Sequence, residues 1–300
     1  MKIITHTDFD GVCCAALFLR KFSNEINIEY FTVDEAKKLS DTGIIVDYTC
    51  DLPKIGNSIN FDHHKSNYED LVNSGRLTEK DHVDPNAPSA TELVFQFLNF
   101  EDDPIALEIR NLGNLADTAR LPEEYRPLDI ILNLNNDDQR ALQQISELLS
   151  KLGSNILSTD WVQKKYNESR EIFNETQKKI SEFIDSVPIF PRILVLDTRG
   201  SIPGKLAKEV FTPLFKRNVA VIALVYSKSH KESIRVSFRV TKLNNEQDFY
   251  DVSIVAKTFK GGGHRMAAAC TPTPKDIPTN LIRELNKIAK PNDDIKYFKM

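Results

Sequence analysis

The densest group of residues able to do chemistry is His6-Thr7-Asp8-Phe9-Asp10-Gly11. His6, Asp8 and Asp10 alternate, so an extended segment would point them the same way, while a turn would aim them differently. Carboxylates and an imidazole crowded together are costly unless a cation neutralises them. Their oxygen and nitrogen donors suit Mn²⁺ or Mg²⁺, and are compatible with Zn²⁺ or Fe²⁺. An Asp-rich surface turn would show the same run, so this segment alone is a weak signal. The pattern repeats, however. Asp47 follows the apolar run Gly43-Ile44-Ile45-Val46, and Asp62-His63-His64 follows Ser58-Ile59-Asn60-Phe61. Asp117 is a lone acid in Asn114-Leu115-Ala116-Asp117-Thr118-Ala119. Taken singly it reads as a capped or salt-bridged core acid. Beside the other groups it is a candidate for the same site.

The elements that must position these residues read as alternating strands and helices. Residues 2–5, 26–33, 43–46 and 58–61 read as strands. Residues 11–22, 88–97 and 104–119 read as helices, the first from apolar residues at Val12, Ala15, Ala16, Leu19 and Phe22. Continuous apolar runs suit parallel strands buried on both faces, and the alternation argues for a parallel α/β sheet. In such sheets ligands bind outside the carboxyl ends of the strands. Three strands would thus deliver the His and Asp groups to one crevice. Residues 133–153 and 161–187 read as charged helices, the second a long connector that Pro188 and Pro191 end. Beyond them, 193–196, 219–226 and 233–240 read as strands, and 205–215, 252–259 and 281–289 as helices. The strand 233–240 alternates Ile234, Val236, Phe238 and Val240 inward against Arg235, Ser237 and Arg239 outward.

Composition narrows the class. The 300 residues are enough for about two domains. No apolar run approaches the ~18 residues of a membrane span, and the N-terminus does not resemble a signal peptide. Cys13, Cys14, Cys50 and Cys270 make neither a disulfide framework nor a CxxC zinc pair, and read as reduced thiols in an intracellular, cytoplasmic protein. The net charge of -4 hides a division. Residues 1–150 carry 13 Lys+Arg against 27 Asp+Glu, and residues 151–300 carry 26 against 16. Residues 192–242 alone hold 11 basic against 3 acidic side chains, a surface suited to a polyanion. Gly200-Ser201-Ile202-Pro203-Gly204-Lys205-Leu206 is one residue short of a phosphate loop and has Leu in place of the metal-binding hydroxyl, so it reads as a turn and helix start.

Together these motifs resemble the DHH phosphoesterase superfamily. That group includes RecJ-like exonucleases, nanoRNases, cyclic-dinucleotide phosphodiesterases and family II pyrophosphatases. His6-Thr7-Asp8-Phe9-Asp10-Gly11 fits its H/D-x-D-x-D-G motif, Asp47 the Asp after a strand, Asp62-His63-His64 the motif that names it, and Asp117 the Asp in a helix. Phe259-Lys260-Gly261-Gly262-Gly263-His264-Arg265-Met266-Ala267-Ala268-Ala269 resembles the GGGH-x-x-A-A-G motif of the associated C-terminal domain. Lys260 and Ala269 replace glycines found in many relatives.

The resemblance implies a two-domain α/β protein. A parallel-sheet metal-binding domain (1–160) is joined by a helical linker (161–190) to a smaller α/β substrate-binding domain (191–300). It implies two Mn²⁺ ions, with Mg²⁺ as the other candidate. His6, Asp8 and Asp47 would hold one, and Asp10, Asp47, His63 and Asp117 the other, with Asp47 bridging and water as the nucleophile. His64 would contact the phosphate or protonate the leaving group, and Asp62 would orient a histidine. Arg239 and His264 would contact substrate phosphate, with Gly261, Gly262 and Gly263 offering backbone N–H groups and Arg235 facing the same way. The implied activity is phosphodiester or exonucleolytic hydrolysis of short oligonucleotides or single-stranded RNA or DNA. The alternatives are a small-nucleotide phosphoesterase, acting on a cyclic or linear dinucleotide or a 3′,5′-bisphosphate adenosine, and a non-catalytic replication or repair scaffold. A homodimer and a replication or repair partner fit the same resemblance.

Overall fold

The computed structural model describes residues 1–40, 42–118, 120–227, 234–241 and 250–300. The chain forms two compact units, Met1–Arg170 and Glu171–Met300. In the first, the elements run β1 (Lys2–His6), α1 (Phe9–Phe22), β2 (Asn27–Phe31), α2 (Val33–Leu39), β3 (Tyr48–Cys50), β4 (Ile59–Asp62), α3 (Lys65–Asn73), β5 (His82–Val83), α4 (Ala90–Leu98), α5 (Pro104–Asp117), α6 (Arg126–Asn135) and α7 (Gln139–Leu152). The strands form one fully parallel sheet in the order β2-β1-β3-β4-β5. Ile3 and Ile4 face opposite sides of β1, and neither is exposed, as a strand covered on both faces requires. On one side α1, α4, α5 and α7 build the larger core around Phe18, Phe61, Leu128 and Ile145. On the other, Ile4, Ala36, Leu52 and Ile55 make a smaller cluster. Leu142, Ile145 and Leu149 of α7 keep helical spacing and are fully buried. The outer edge of β2 is closed by Gln139, whose side-chain oxygen accepts from Tyr30 N–H and whose amide donates to Tyr30 O.

The helix α8 (Asp160–Ser186) contains the boundary between the two units. Its residues Ile180 and Ile184 pack in the second unit. There the order is β6 (Ile193–Asp197), a 3-10 segment Gly204–Val210, α9 (Phe211–Phe215), β7 (Val221–Ser227), β8 (Ile234–Val240), α10 (Val252–Thr258), β9 (Gly262–His264), β10 (Ala267–Cys270), α11 (Thr279–Asn286) and β11 (Ile295–Lys299). The sheet order is β11-β6-β7-β8-β10-β9, parallel across the first three strands and antiparallel beyond. Among the described residues no helix is long and apolar enough to cross a membrane.

Several expectations change. The helix expected at 11–22 begins at Phe9, so Asp10 lies in its first turn rather than on an extended segment. The strand expected at 43–46 does not form. Ile44 and Val46 pack into the smaller cluster and Ile45 is 85% exposed, while the paired strand is Tyr48–Cys50. The helix expected at 281–289 forms as α11 (Thr279–Asn286), and a further strand, β11, follows it. Ser237 is buried and hydrogen-bonded to the Tyr226 hydroxyl, because the face expected to be outward meets the 204–215 segment. Ala119 and Ser233, placed in a helix and a strand by their spacing, lie outside the described residues.

Candidate metal centre

The first ligand-bearing segment is a tight strand-to-helix turn. Asp8 caps α1, its Oδ1 accepting the Gly11 N–H at 3.0 Å. The Thr5 hydroxyl donates to Gly11 O at 2.8 Å. A Cβ on Gly11 would lie 2.2 Å from the His6 carbonyl oxygen, so only glycine fits. The turn separates the alternating side chains: Asp8 is exposed, whereas Asp10 is 2% exposed and sits under the start of α4.

The second segment is the residue that follows β3, and that residue is Asp51. Its φ is +55°, a left-handed conformation that Asp tolerates better than most side chains, and its N–H donates to Phe61 O. Asp51 is 2% exposed. Its Oδ2 is 3.1 Å from His6 Nδ1, and its Oδ1 is 3.4 Å from His64 Nδ1 and 3.6 Å from His63 Nε2. Asp47 lies elsewhere. It precedes β3, is exposed, and accepts the N–H of Lys2 at the opposite end of β1 from His6. Asp47, expected to bridge two ions, is thus outside the cluster, and Asp51 is the carboxylate that stands among the other candidate ligands. The reason lies in the strand: residues 43–46 are the more apolar run, but Tyr48–Cys50 pairs in the sheet, and its carboxyl end delivers Asp51. The missed signal is Tyr48-Thr49-Cys50, a short segment of strand-favouring residues that also ends in Asp.

The third and fourth segments follow β4 and close α5. His63 Nε2 lies 3.4 Å from Asp117 Oδ2 and 3.9 Å from Asp10 Oδ2. Asp62, fully buried, orients His64: its Oδ1 accepts the His64 N–H at 2.8 Å and the ring Nδ1 lies 2.9 Å away. Asn67 of α3 donates to the other oxygen of Asp62. The structure thus brings together His6, Asp8, Asp10, Asp62, His63, His64 and Asp117, adds Asp51, and leaves out Asp47.

The donor atoms fall into three overlapping groups, His6–Asp8–Asp51, Asp10–His63–Asp117 and Asp51–His63–His64. Asp51 Oδ1 and His63 Nε2 are buried without a hydrogen-bond partner. Buried polar atoms are seldom left so, and each such atom calls for an explanation. A mixed imidazole and carboxylate set with two orphaned donors fits divalent cations. The electrostatics agree. Burial pushes the Asp10 carboxyl well above its usual range, and the charges of Asp51 and Asp8 push it further. Burial likewise raises Asp117, against the opposing pull of His63. Burial opposes a charged His6, yet Asp8 and Asp51 override it and hold the imidazole well above its ordinary value. The hydrogen bond to Asp62 raises His64 to about 9, against burial.

The remaining candidates lie in the second unit. Arg239, Ala267 and His264 are paired in register across β8, β10 and β9, so their side chains share one face of the sheet. Ser237, Ala269 and Gly262 form the adjacent row, all small. Arg239 is half-buried, with its guanidinium 5.7 Å from the Phe211 ring centroid, and burial lowers its pKa. Arg235 lies two residues before Ser237 on that face of β8. Gly262, Gly263 and His264 form an exposed edge strand. A Cβ on Gly261 would lie 2.2 Å from Ala269 O, and Gly263 has φ +132°. Lys260 has φ +56°, the conformation a glycine would favour, whereas Ala269 sits in an ordinary strand. Phe238 and Tyr250 are core side chains.

No protein-family profile and no curated protein matches this sequence. Solved structures do. A pGpG-specific phosphodiesterase from Vibrio cholerae matches with a TM-score of 0.66 at 18% identity, over 96% of this chain and 99% of that one. An exonuclease RecJ bound to manganese matches with a TM-score of 0.59 at 13% identity, over 97% and 90%. RecJ from Thermus thermophilus in complex with Mn²⁺ gives 0.53 at 13%, over 100% of this chain and 53% of that one. The chain has the DHH/RecJ-like fold.

Proposed function

We propose that this protein is a divalent-metal-dependent phosphodiesterase that hydrolyses short oligonucleotides or single-stranded nucleic acid from one end. The observation that carries this reading is the convergence of His6, Asp8, Asp10, Asp51, His63 and Asp117, with Asp51 Oδ1 and His63 Nε2 buried and unpartnered. His6, Asp8 and Asp51 would hold one ion, and Asp10, Asp51, His63 and Asp117 a second. When bound, such ions supply Lewis acidity, acidifying water and offsetting charge on the attacked phosphoryl group. Mn²⁺ is the leading choice, since it accepts both imidazole and carboxylate ligands and is bound in two of the similar structures.

The chain's own groups do the rest. Asp62 accepts from His64 Nδ1, which leaves Nε2 as the nitrogen free to face a substrate, and His64 is 47% exposed. The hydrogen bond to Asp62 favours the charged form of His64. It is suited to donate from Nε2 to a phosphoryl oxygen or to the departing oxygen. Arg239 and His264, sharing one sheet face lined by small residues, are suited to phosphates elsewhere on the substrate. The assembled acidic set argues against a purely scaffolding role.

A linear-dinucleotide specialist is the second reading. It is favoured by the match to the pGpG-specific enzyme, which runs nearly end to end in both chains. A substrate series from dinucleotides to long RNA and DNA strands, with Mn²⁺, tests both. Activity on strands of many lengths removes the specialist. Activity confined to dinucleotides removes the broader exonuclease. No Mn²⁺-dependent cleavage at any length removes both.

A further inference from the structure

Both oxygens of Asp10 are engaged by the first residues of α4. Oδ2 accepts the Ala90 N–H at 2.8 Å. Oδ1 accepts the Thr91 N–H at 2.9 Å and the Thr91 hydroxyl at 2.5 Å. Thr91 is fully buried. Three donors spread over both oxygens fix the carboxylate's rotation, with Oδ2 3.9 Å from His63 Nε2. The same side chain also meets α5. A Cβ built on Gly113 would lie 2.5 Å from Thr91 Oγ1 and 2.7 Å from its Cβ, so the two helices touch at a glycine. Gly113 and Asp117 are four residues apart and lie on one face of α5. One threonine thus touches Asp10 directly and sets the approach of the helix that carries Asp117.

We propose that Thr91 is the positioning residue of the centre. Its hydroxyl helps hold the plane of the Asp10 carboxylate towards the other ligands, and its contact with Gly113 sets how far α5 delivers Asp117. The inference rests on the metal-centre reading given above. Valine has nearly the shape of threonine but no donor. Thr91→Val would remove one of three donors, leaving one backbone N–H on each oxygen and a more loosely held carboxylate. Thr91→Ser keeps the donor. Gly113→Ala puts a methyl against Thr91 Oγ1 and Cβ while sparing the backbone donors to Asp10, so α5 or the hydroxyl must shift.

The test measures Mn²⁺ affinity by calorimetry, the EPR spectrum of bound Mn²⁺, and metal-free melting, for the wild type and the three variants. Thr91→Val should weaken Mn²⁺ by about 10–100-fold, as loss of a group that orients a ligand does, and alter the EPR spectrum. Thr91→Ser should restore both, a rescue that a merely space-filling role does not give. Gly113→Ala should also weaken Mn²⁺, and it supplies the measurement if Thr91→Val fails to fold. Wild-type affinity in a folded Thr91→Val overturns the Asp10 role. Wild-type affinity in Gly113→Ala overturns the Asp117 role. A wild type that binds no Mn²⁺ overturns the metal reading itself, and this inference with it.

Discussion

Asp51→Asn is the sharpest perturbation of the centre. Asparagine matches aspartate in shape and also tolerates the left-handed conformation at φ +55°, so the turn after β3 and its N–H bond to Phe61 O should survive. What is removed is one negative charge within 3.6 Å of nitrogens on His6, His63 and His64. Without metal, two effects oppose. The histidines lose a partner, and Asp10 is relieved of a like charge that helps to raise its pKa. The metal-free melt should therefore change little. With metal the difference is large. A ligand at 100 times its dissociation constant stabilises the folded state by about 2.7 kcal/mol. For a unit the size of Met1–Arg170, at about 2–4 °C per kcal/mol, that is an upward shift of about 5–11 °C. Asp51→Asn should lose nearly all of this shift together with Mn²⁺-dependent cleavage. Asp47→Ala is the matched control. It deletes an exposed carboxylate and one hydrogen bond to Lys2 N–H, worth about 1 kcal/mol, and should keep the full shift and the activity. Differential scanning fluorimetry with and without Mn²⁺ reads both variants. A normal shift in Asp51→Asn, or its loss in Asp47→Ala, would refute the assignment of β3 and of the residue at its carboxyl end.

Three further outcomes follow from single contacts. The Lys54 ammonium meets the Asp81 carboxylate at 2.7 Å with both side chains almost fully buried, so Lys54→Met should cost about 3–5 kcal/mol at pH 7. Burial raises Asp81, but Lys54 and the N–H groups of Asn60 and Thr78 override it and hold the folded pKa below the ordinary carboxylate value. The pair's contribution is thus present above that ordinary value and fades as pH falls through the folded one. Urea melts across this range should show wild type and variant converging in acid, and a constant gap contradicts the linkage. Gly11→Ala forces a Cβ against the His6 carbonyl and should destabilise by about 1–3 kcal/mol or more, read from the urea midpoint, whereas wild-type stability contradicts the turn geometry. Arg239→Gln should lower kcat/KM about 10–100-fold, the worth of a charged hydrogen bond, with Mn²⁺ affinity unchanged. Weakened Mn²⁺ binding would remove Arg239 from the substrate side.

The parallel sheet and most of the centre were legible because strong local signals coincide with what the fold needs. The segment Ile59-Asn60-Phe61 before Asp62-His63-His64 is a strand with Asn60 and Phe61 fully buried, and the residues after it are aimed by the carboxyl end of β4. Asp51 was not legible, because hydrophobicity alone cannot say which of two neighbouring segments pairs. Ile44 and Val46 are apolar for the small cluster beneath the sheet, while Tyr48-Thr49-Cys50 carries the ladder. Asp10 was legible as a candidate but not in its setting. Spacing shows its place in sequence, whereas Thr91, its hydroxyl donor, lies 81 residues away. The helix start at Phe9 was hidden because the same aspartate, Asp8, reads equally as a ligand and as a cap.

That double role bears on the charge division of the chain. The centre takes Asp8, Asp10, Asp51, Asp62 and Asp117 from the 27 acidic residues of 1–150. Others do plainly structural work: Asp103 and Asp138 cap α5 and α7, and Asp81 holds a turn together with Lys54. The acidic excess is thus largely a matter of helix starts, turns and surface, with the candidate metal site drawing on a few members. Asp8 and Asp10 belong to both kinds, one capping α1 and the other accepting from the first residues of α4. Their backbone donors are fixed by the fold before an ion binds, so the centre is preorganised at the cost of holding like charges together without one. Binding an ion relieves that repulsion. Changes that loosen the carboxylates should therefore lower metal affinity while sparing or raising metal-free stability.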